Sequence, residues 1–481
     1  MDLRSKAVSG VKWTSLSTVV ITVLQLGQLL ILSRLLSVDE FGLMAIVTII
    51  ISLIRAFADL GVTAALIHFQ DSTKEQISTL YWLNIITGVV IYLLILLLNP
   101  VIAIFYPEPE LLPILNIVAI SMIISPLGSI FQTLFQKEML FNILAKQEIA
   151  ATTVATITTI ILAYLGFGVW SLVVGQLLNM AVKTLSLIFY ASGKIKISFY
   201  FKFSDVKGYL NFGVFQMGER GINFLSERID QLIIGSMMGA TSLGLYNFAY
   251  NLVSQPVTVL GPVLMKVGFP YFAKLQDNRA ELRNAYLRIL QVLMLVISPL
   301  LIGLGAAATE LIPVVFDPKW SESVPNIRIL ILVFILRTAA TPAGSLMLAV
   351  GRADLGFKWN LALFVISLPL LYFVSTTGEP VYIALALLLL QIALFYPNYK
   401  LLVAPFTGNF FPGYFSAIFK PVAVFMVMGV GVWLFSRLQF TGDLAVKLVT
   451  EIALGAVMSA ALAFLFYRKE LPSLLKLVRN G

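Results

Sequence analysis

The 481-residue sequence has no cysteine, one histidine and few charges, with Asp, Glu, Lys and Arg together making up 12% of it. Without cysteine there can be no disulfide, no thiolate metal site and no cysteine nucleophile. No GxxxxGK[ST] phosphate loop occurs, and no polar stretch is large enough for a nucleotide-binding domain. The chain is therefore read as a non-enzyme without cofactor or metal, and any transport must draw on a gradient or on the substrate's own free energy. The scarcity of charge also excludes an ordinary soluble domain, which is about 25% charged and about 45–50% apolar. Here 59% of residues are hydrophobic, and the mean hydropathy is +0.94.

What is present is a series of long apolar runs. Stretches such as 85–98 and 381–395 contain no charge, and with their flanks they reach the ~20 residues that span a bilayer core. Polar and Pro/Gly-rich breaks divide the chain into fourteen expected spans. They cover 10–36, 41–68, 78–105, 112–136, 144–166, 168–192, 208–237, 242–266, 284–308, 326–350, 356–376, 380–403, 416–437 and 444–467. The first contains Gln25 and Gln28 and lacks a small-residue cleavage pattern, so it reads as a retained helix and not as a signal peptide. The expected fold is all-α, a polytopic membrane protein of about 14 transmembrane helices.

Net charge is +9, but the basic residues sit in short segments between apolar runs, which argues against a nucleic-acid partner. Of 33 Lys and Arg residues, 23 fall on one side of the expected membrane and 5 on the other. Positive residues mark the cytoplasmic face, so both termini are expected there. The six tryptophans (13, 82, 170, 320, 359 and 433) fall near span ends or in loops, as interfacial anchors do.

An internal repeat accompanies this pattern. "LILSRLLSVDEFGL" (30–43) overlies "LIIGSMMGATSLGL" (232–245) at an offset of 202 without a gap, and Gly42 falls on Gly244. "SPLGSI" (125–130) overlies "TPAGSL" (341–346), and the same offset of 216 carries Phe141 onto Phe357. Six helices thus repeat as six in the same orientation, with a pseudo-symmetry axis near the membrane normal and a substrate site expected between the halves. The expected division is an N-lobe over 1–200, a C-lobe over 201–405, and two additional helices with a cytoplasmic tail over 406–481.

Of the 33 basic residues, the five assigned to neither side remain, each inside a span: Arg55, Lys183, Arg220, Arg228 and Arg337. Asp59, Glu219, Glu227 and Asp230 accompany them. A mid-membrane charge costs ~2.5–3.5 kcal/mol even on the lenient insertion scale, so these groups should avoid lipid. With Glu219 as origin and about 100° per residue, Asp230 lies at about 20°, Asn223 at about 40°, Gln216 at about 60°, Glu227 at about 80° and Arg220 at about 100°. Arg228, at about 180°, lies off that face. Arg55 and Asp59, at i,i+4, are spaced to pair. Arg337 stands mid-span, before Thr341 and Pro342. Arginines can grip phosphate oxygens in bidentate fashion, while Glu219, Glu227, Asp230, Asn223 and Gln216 can bond sugar hydroxyls. Burial raises a carboxylate's proton affinity, so Asp230, Glu219 or Glu227 could carry a coupling proton. Alternatively the charges are ion pairs that join helices without touching substrate.

"TLYWLN" (79–84), "LGLYNFAYN" (243–251), "FPYFAKLQDN" (269–278) and "GSLMLAVGRADLGFKWN" (344–360) resemble the Wzx-type polysaccharide flippases. The similarity is to the branch of colanic-acid and exopolysaccharide exporters within the multidrug/oligosaccharidyl-lipid/polysaccharide superfamily, and it covers nearly the whole chain. It implies two pseudo-symmetric six-helix lobes plus two C-terminal helices in a bacterial inner membrane. It also implies alternating-access transfer of undecaprenyl-diphosphate-linked oligosaccharide from the cytoplasmic to the outer leaflet. Implied partners are that substrate, membrane lipid, and a polysaccharide polymerase with other assembly proteins. The alternatives are a drug/cation antiporter of the same superfamily, which predicts a cavity free of mid-span arginines, and a non-transporting scaffold.

Overall fold

The computed structural model describes residues 3–58, 61–69, 71–193, 195, 197–437 and 443–468. Asp59, and with it the Arg55–Asp59 pair, lies outside the described residues, as do Lys194, Lys196 and the basic tail from Lys469 onward. Among the described residues every regular element is helical. In chain order come α1 (Leu3–Leu35), α2 (Val38–Ala58), α3 (Val62–His68), α4 (Lys74–Phe105), α5 (Leu111–Ala119), α6 (Ser121–Lys137), α7 (Phe141–Tyr164) and α8 (Val169–Ala191). They are followed by α9 (Lys207–Leu275), α10 (Arg279–Leu311), α11 (Val324–Ala349), α12 (Ala353–Ser375), α13 (Pro380–Asn398), the single turn α14 (Ala404–Thr407), α15 (Phe411–Ser436) and α16 (Leu444–Tyr467).

The surfaces of these helices are as apolar as their contacts. Leu97, Ile104, Phe189, Phe373 and Leu465 are each 70–78% exposed. Water would penalise such a surface by ~25 cal/mol per Å², whereas lipid tails do not. Among the described residues, twelve segments are long and apolar enough to cross a bilayer. The expected count of fourteen is not confirmed, and both differences have a local cause. The expected spans 208–237 and 242–266 run together as one segment, Gln216–Gly261. The expected span 144–166 corresponds to α7, which is not among the twelve. α7 carries Lys146, Gln147, Glu148 and five threonines between Thr152 and Thr159, and it turns Gln147, Thr156 and Thr159 inward. Thr156 donates from Oγ1 to Gln28 Oε1 at 3.0 Å, so this polarity serves packing onto α1.

Helix starts follow the cap chemistry. Thr73 and Gln76 form a reciprocal capping box at α4, Asn278 accepts from the N–H groups of Ala280 and Glu281 at α10, and Asp443 accepts from Ala445 N–H at α16. The 69-residue α9 is two helices joined at Gly239, whose φ of 83° and ψ of −177° suit glycine alone. At ~1.5 Å per residue an unbroken helix of that length would exceed three bilayer cores.

The chain forms two compact units, Met1–Gly244 and Leu245–Gly481. The first includes the arm of α9 that precedes Gly239, the helix that the repeat places at the start of the second half. Three glycine contacts set that arm antiparallel to α2 and to the turn after it, Gly213 against Gly61, Gly221 against Phe57 and Gly235 against Ile46, and Ala240 meets Gly42 just past the joint. A β-carbon on Gly42 would strike the Ala240 carbonyl, and one on Gly244 would strike the Val38 carbonyl. These two contacts are the same contact read in opposite directions, since adding 202 converts residue 42 to 244 and residue 38 to 240. Thr241 Oγ1 donates to Asp39 Oδ1, again a pair related by 202. The repeat found in the sequence thus meets itself here in a reciprocal, two-fold manner.

In the second unit, one tryptophan departs from expectation. Trp320 is fully buried and stacks on Phe248, with ring centroids 4.3 Å apart, so it is a core residue and not an interfacial anchor. Its 3-10 segment, Pro318–Ser323, leads directly into α11, and this fold-back carries the indole inward. Trp13 and Trp433 do sit beside cations, at 5.4 Å from Lys146 Nζ and 4.1 Å from Arg437 Cζ.

Because the α2–α9 contact is backbone on backbone, Gly42→Ala and Gly244→Ala are expected to cost ~1–3 kcal/mol each through overpacking. Melting in detergent should show both variants destabilised, with Gly27→Ala, which meets open space, unchanged.

Candidate functional site

The arm of α9 before Gly239 is continuously helical from Lys207, so its angular positions can be read directly. Gly221 and Gly235, the residues against α2, lie at about 200° and 160° from Glu219. Gln216, Glu219, Arg220, Asn223, Glu227 and Asp230 occupy the opposite side. α2 therefore packs on the side of this helix away from these six residues, the side on which Arg228 also lies.

Burial grades along that face. Arg220 and Glu227 are exposed, Gln216, Glu219 and Asn223 are half-buried, and Asp230 is buried at 1% exposure. Asp230 Oδ1 accepts from the Gln231 N–H at 2.9 Å. Arg228 lies off the face, and its Nη1 donates to Gln231 Oε1 at 3.1 Å, linking it to the buried end of the polar set. Arg55 is not drawn to the α9 face by α2. Phe57 meets α9, whereas Arg55 Nη2 approaches Met180 Sδ of α8 at 3.6 Å.

Arg337 belongs to the second unit, half-buried in α11. Its Nη1 donates to the Tyr250 hydroxyl at 3.3 Å, and its Cζ lies 5.6 Å from the Phe334 ring centre. Tyr250 is itself buried and packs edge-on to Phe334, at 5.1 Å.

Residues that the sequence reading passed over hold the Gly239 joint. Glu108 Oε1 accepts from Ala240 N–H at 3.1 Å, placing a carboxylate on the first donor of the second arm, where helix polarity favours it. Tyr106 donates to the Leu232 carbonyl at 3.3 Å, and burial pushes its hydroxyl up to about 12, so it stays a donor throughout the physiological range. The motif "TLYWLN" likewise proves to be a clasp. Thr79 Oγ1 accepts from Lys202 N–H, Trp82 Nε1 donates to the Ser198 carbonyl at 3.0 Å and its ring stacks on Phe199. Asn84 Nδ2 donates to Ser129 Oγ at 3.2 Å, joining this motif to the repeated "SPLGSI". The strap 198–206 so fastened carries Asp205, whose carboxyl is held below the usual range by the Tyr200 hydroxyl, donating at 2.8 Å. A spacing argument from one sequence could not reveal the partners of Glu108, Tyr106, Thr79 and Trp82, because they lie more than 100 positions away.

The cysteine-free background allows a direct test of the polar face. Cysteines placed at Arg220 and Glu227 should react with a water-soluble maleimide at least about tenfold faster than one placed at Asp230, because thiol reactivity follows exposure.

A sequence model of the polysaccharide biosynthesis protein family matches residues 31–325. The teichuronic acid biosynthesis protein TuaB of Bacillus subtilis is 34% identical over 100% of this chain and 99% of its own. The lipopolysaccharide biosynthesis protein WzxC of Escherichia coli is 30% identical over 88% of this chain and 86% of its own. Among solved structures, the lipid II flippase MurJ in an inward closed conformation superposes with a TM-score of 0.78. That likeness covers 95% of this chain and 99% of MurJ at 14% identity, which is a likeness of fold. The chain, a multi-pass membrane protein, belongs to the polysaccharide biosynthesis protein family.

Proposed function

We propose that this protein is a flippase. It moves undecaprenyl-diphosphate-linked oligosaccharide units from the cytoplasmic to the outer leaflet of a bacterial inner membrane, by alternating access, for exopolysaccharide, capsule or O-antigen synthesis. The observation that carries the reading is the polar face Gln216–Asp230 on a membrane helix whose other side packs on α2. Such a face is costly in lipid and serviceable in a cavity. Family membership and the MurJ-like fold supply the substrate class.

In this reading Arg220, Arg228, Arg337 and Arg55 bind diphosphate oxygens. Gln216, Glu219, Asn223, Glu227 and Asp230 meet sugar hydroxyls, and Asp59, four positions on from Arg55 in the sequence, is assigned to the same set. The lobes are 1–200 and 201–405, with 406–481 added outside the repeat. Both termini face the cytoplasm, as the charge asymmetry requires, and a polymerase with other assembly proteins receives the product. Outward movement of negative charge is favoured by about 2.3 kcal/mol per charge per 100 mV in an inside-negative membrane. If the arginines neutralise the diphosphate that gain shrinks, and a proton carried by Asp230, Glu219 or Glu227 resets the carrier. The protein carries out no bond chemistry. Mid-span arginines disfavour a drug/cation antiporter, which has to attract positive solutes.

The test is reconstitution in proteoliposomes with a diphosphate-linked oligosaccharide and a leaflet-specific probe. Wild type should move the lipid, and Arg220→Ala or Arg337→Ala should slow it roughly 10- to 150-fold, the loss of a charged hydrogen bond worth about 1.5–3 kcal/mol. A wild-type protein that leaves the lipid where it was added would overturn the reading. A rate indifferent to both a pH gradient and Asp230→Asn would remove the proton step.

A further inference from the structure

The second unit contains a charge cluster apart from the polar face. Glu310, one residue before the end of α10, accepts at Oε1 from Lys447 Nζ of α16 at 2.9 Å. Glu451, one turn further along α16, places Oε1 at 4.0 Å from the same ammonium, outside hydrogen-bond range. Glu451 is 0% exposed and Glu310 7%. Both Glu451 oxygens and Glu310 Oε2 are buried without a hydrogen-bond partner.

Two carboxylates therefore share one ammonium. Fully ionised, the cluster would hold a net negative charge at buried atoms, and buried groups in that position neutralise instead. Among the described residues of the helices packed on α10 and α16, the other cations are engaged elsewhere. α11, packed on α10, brings Arg328, but its side chain is exposed and Nη2 donates to Thr309 Oγ1 at 2.8 Å. α15, packed on both helices, contains Lys420 and Tyr414; Lys420 lies over Tyr467, sixteen residues or ~24 Å along α16 from Glu451. Arg437, just beyond α15, stacks on Trp433. The π turn Ile312–Phe316 contains no titratable residue. Asp443, at the start of α16, is exposed and caps Ala445 N–H. A metal cation does not suit the site, since Lys447 already occupies the space between the carboxylates.

We infer that Glu310, Lys447 and Glu451 form a proton-binding site, with the proton on Glu451 while Lys447 pairs with Glu310. Loss of that proton leaves Glu451 as a second claimant for Lys447 and draws the ammonium from α10 toward α16. The site titrates the contact between these two helices. It is separate from the carboxylates of α9. Its use in driving transport rests on the flippase reading; its existence does not.

The experiment is an infrared pH titration of the purified full-length protein in lipid nanodiscs, without substrate, reading the carbonyl stretch of protonated carboxyl groups. Wild type should keep such a band at neutral pH. Glu451→Gln should remove one carboxyl's share of it, and so should Glu310→Gln, because Lys447 then pairs with Glu451 and no proton is needed. Lys447→Met should raise that share about twofold, since two buried carboxylates without a cation both take protons. A purely structural ion cluster predicts no band in wild type, and that result, or a band unchanged in both glutamine variants, overturns the inference. Should Glu451→Gln not fold, Glu310→Gln decides alone. Flipping measured separately in proteoliposomes keeps the two readings apart: flipping without the band rejects the proton site, and the band without flipping rejects the flippase.

Discussion

Where Gly42 meets Ala240 and Gly244 meets Val38, two backbones touch with no side chain between them, and the placement of the charged residues depends on that touch. Close approach at this point fixes the register of α2 against α9, and with it the direction in which the face from Gln216 to Asp230 looks. Hydrophobicity alone could not do this, because lipid is as apolar as leucine and does not choose between one helix rotation and another. Glycines that admit carbonyl oxygens, reinforced by Glu108 and Asp39 at the Gly239 joint, make the choice instead.

Much of the architecture could be read from the sequence. The apolar runs identified the medium, and the offset of 202 anticipated a symmetry that the structure realises as a reciprocal contact. The separation of Gly221 and Gly235 from the charged residues by about half a turn of angle was present in the spacing. Helix counting was less secure. α7 is polar because it packs along α1 and α8, and a hydropathy pattern cannot distinguish a threonine turned to a neighbouring helix from one that lowers the odds of a crossing. The α9 joint was hidden for a related reason, as Gly239 is one glycine among 32 and only its backbone angles mark it.

The charged residues divided differently. Those clustered on one helix face were recognisable from their spacing alone. Arg55 was not, because its expected companion lies outside the described residues and its observed neighbour is a methionine 125 positions away. Glu310, Lys447 and Glu451 were overlooked because they stand near span ends, where charge is unremarkable until burial is known. The motifs that carried the family resemblance turned out to be fasteners: Thr79, Trp82 and Asn84 tie α4 to the strap 198–206 and to α6. Residues that identify a fold need not be the ones that handle its substrate.

The packing of α9 on α2 also bears on how the protein is made. Released alone into lipid, a helix with five charges in twelve positions would be a poor candidate to remain there. Chains emerge from their N-terminal end, and the side of α2 that carries Gly42 is already in the membrane when α9 is synthesised. The earlier helix thus serves as a template for the later one, so the order of the two in the chain is part of what lets this sequence keep its charges inside a membrane.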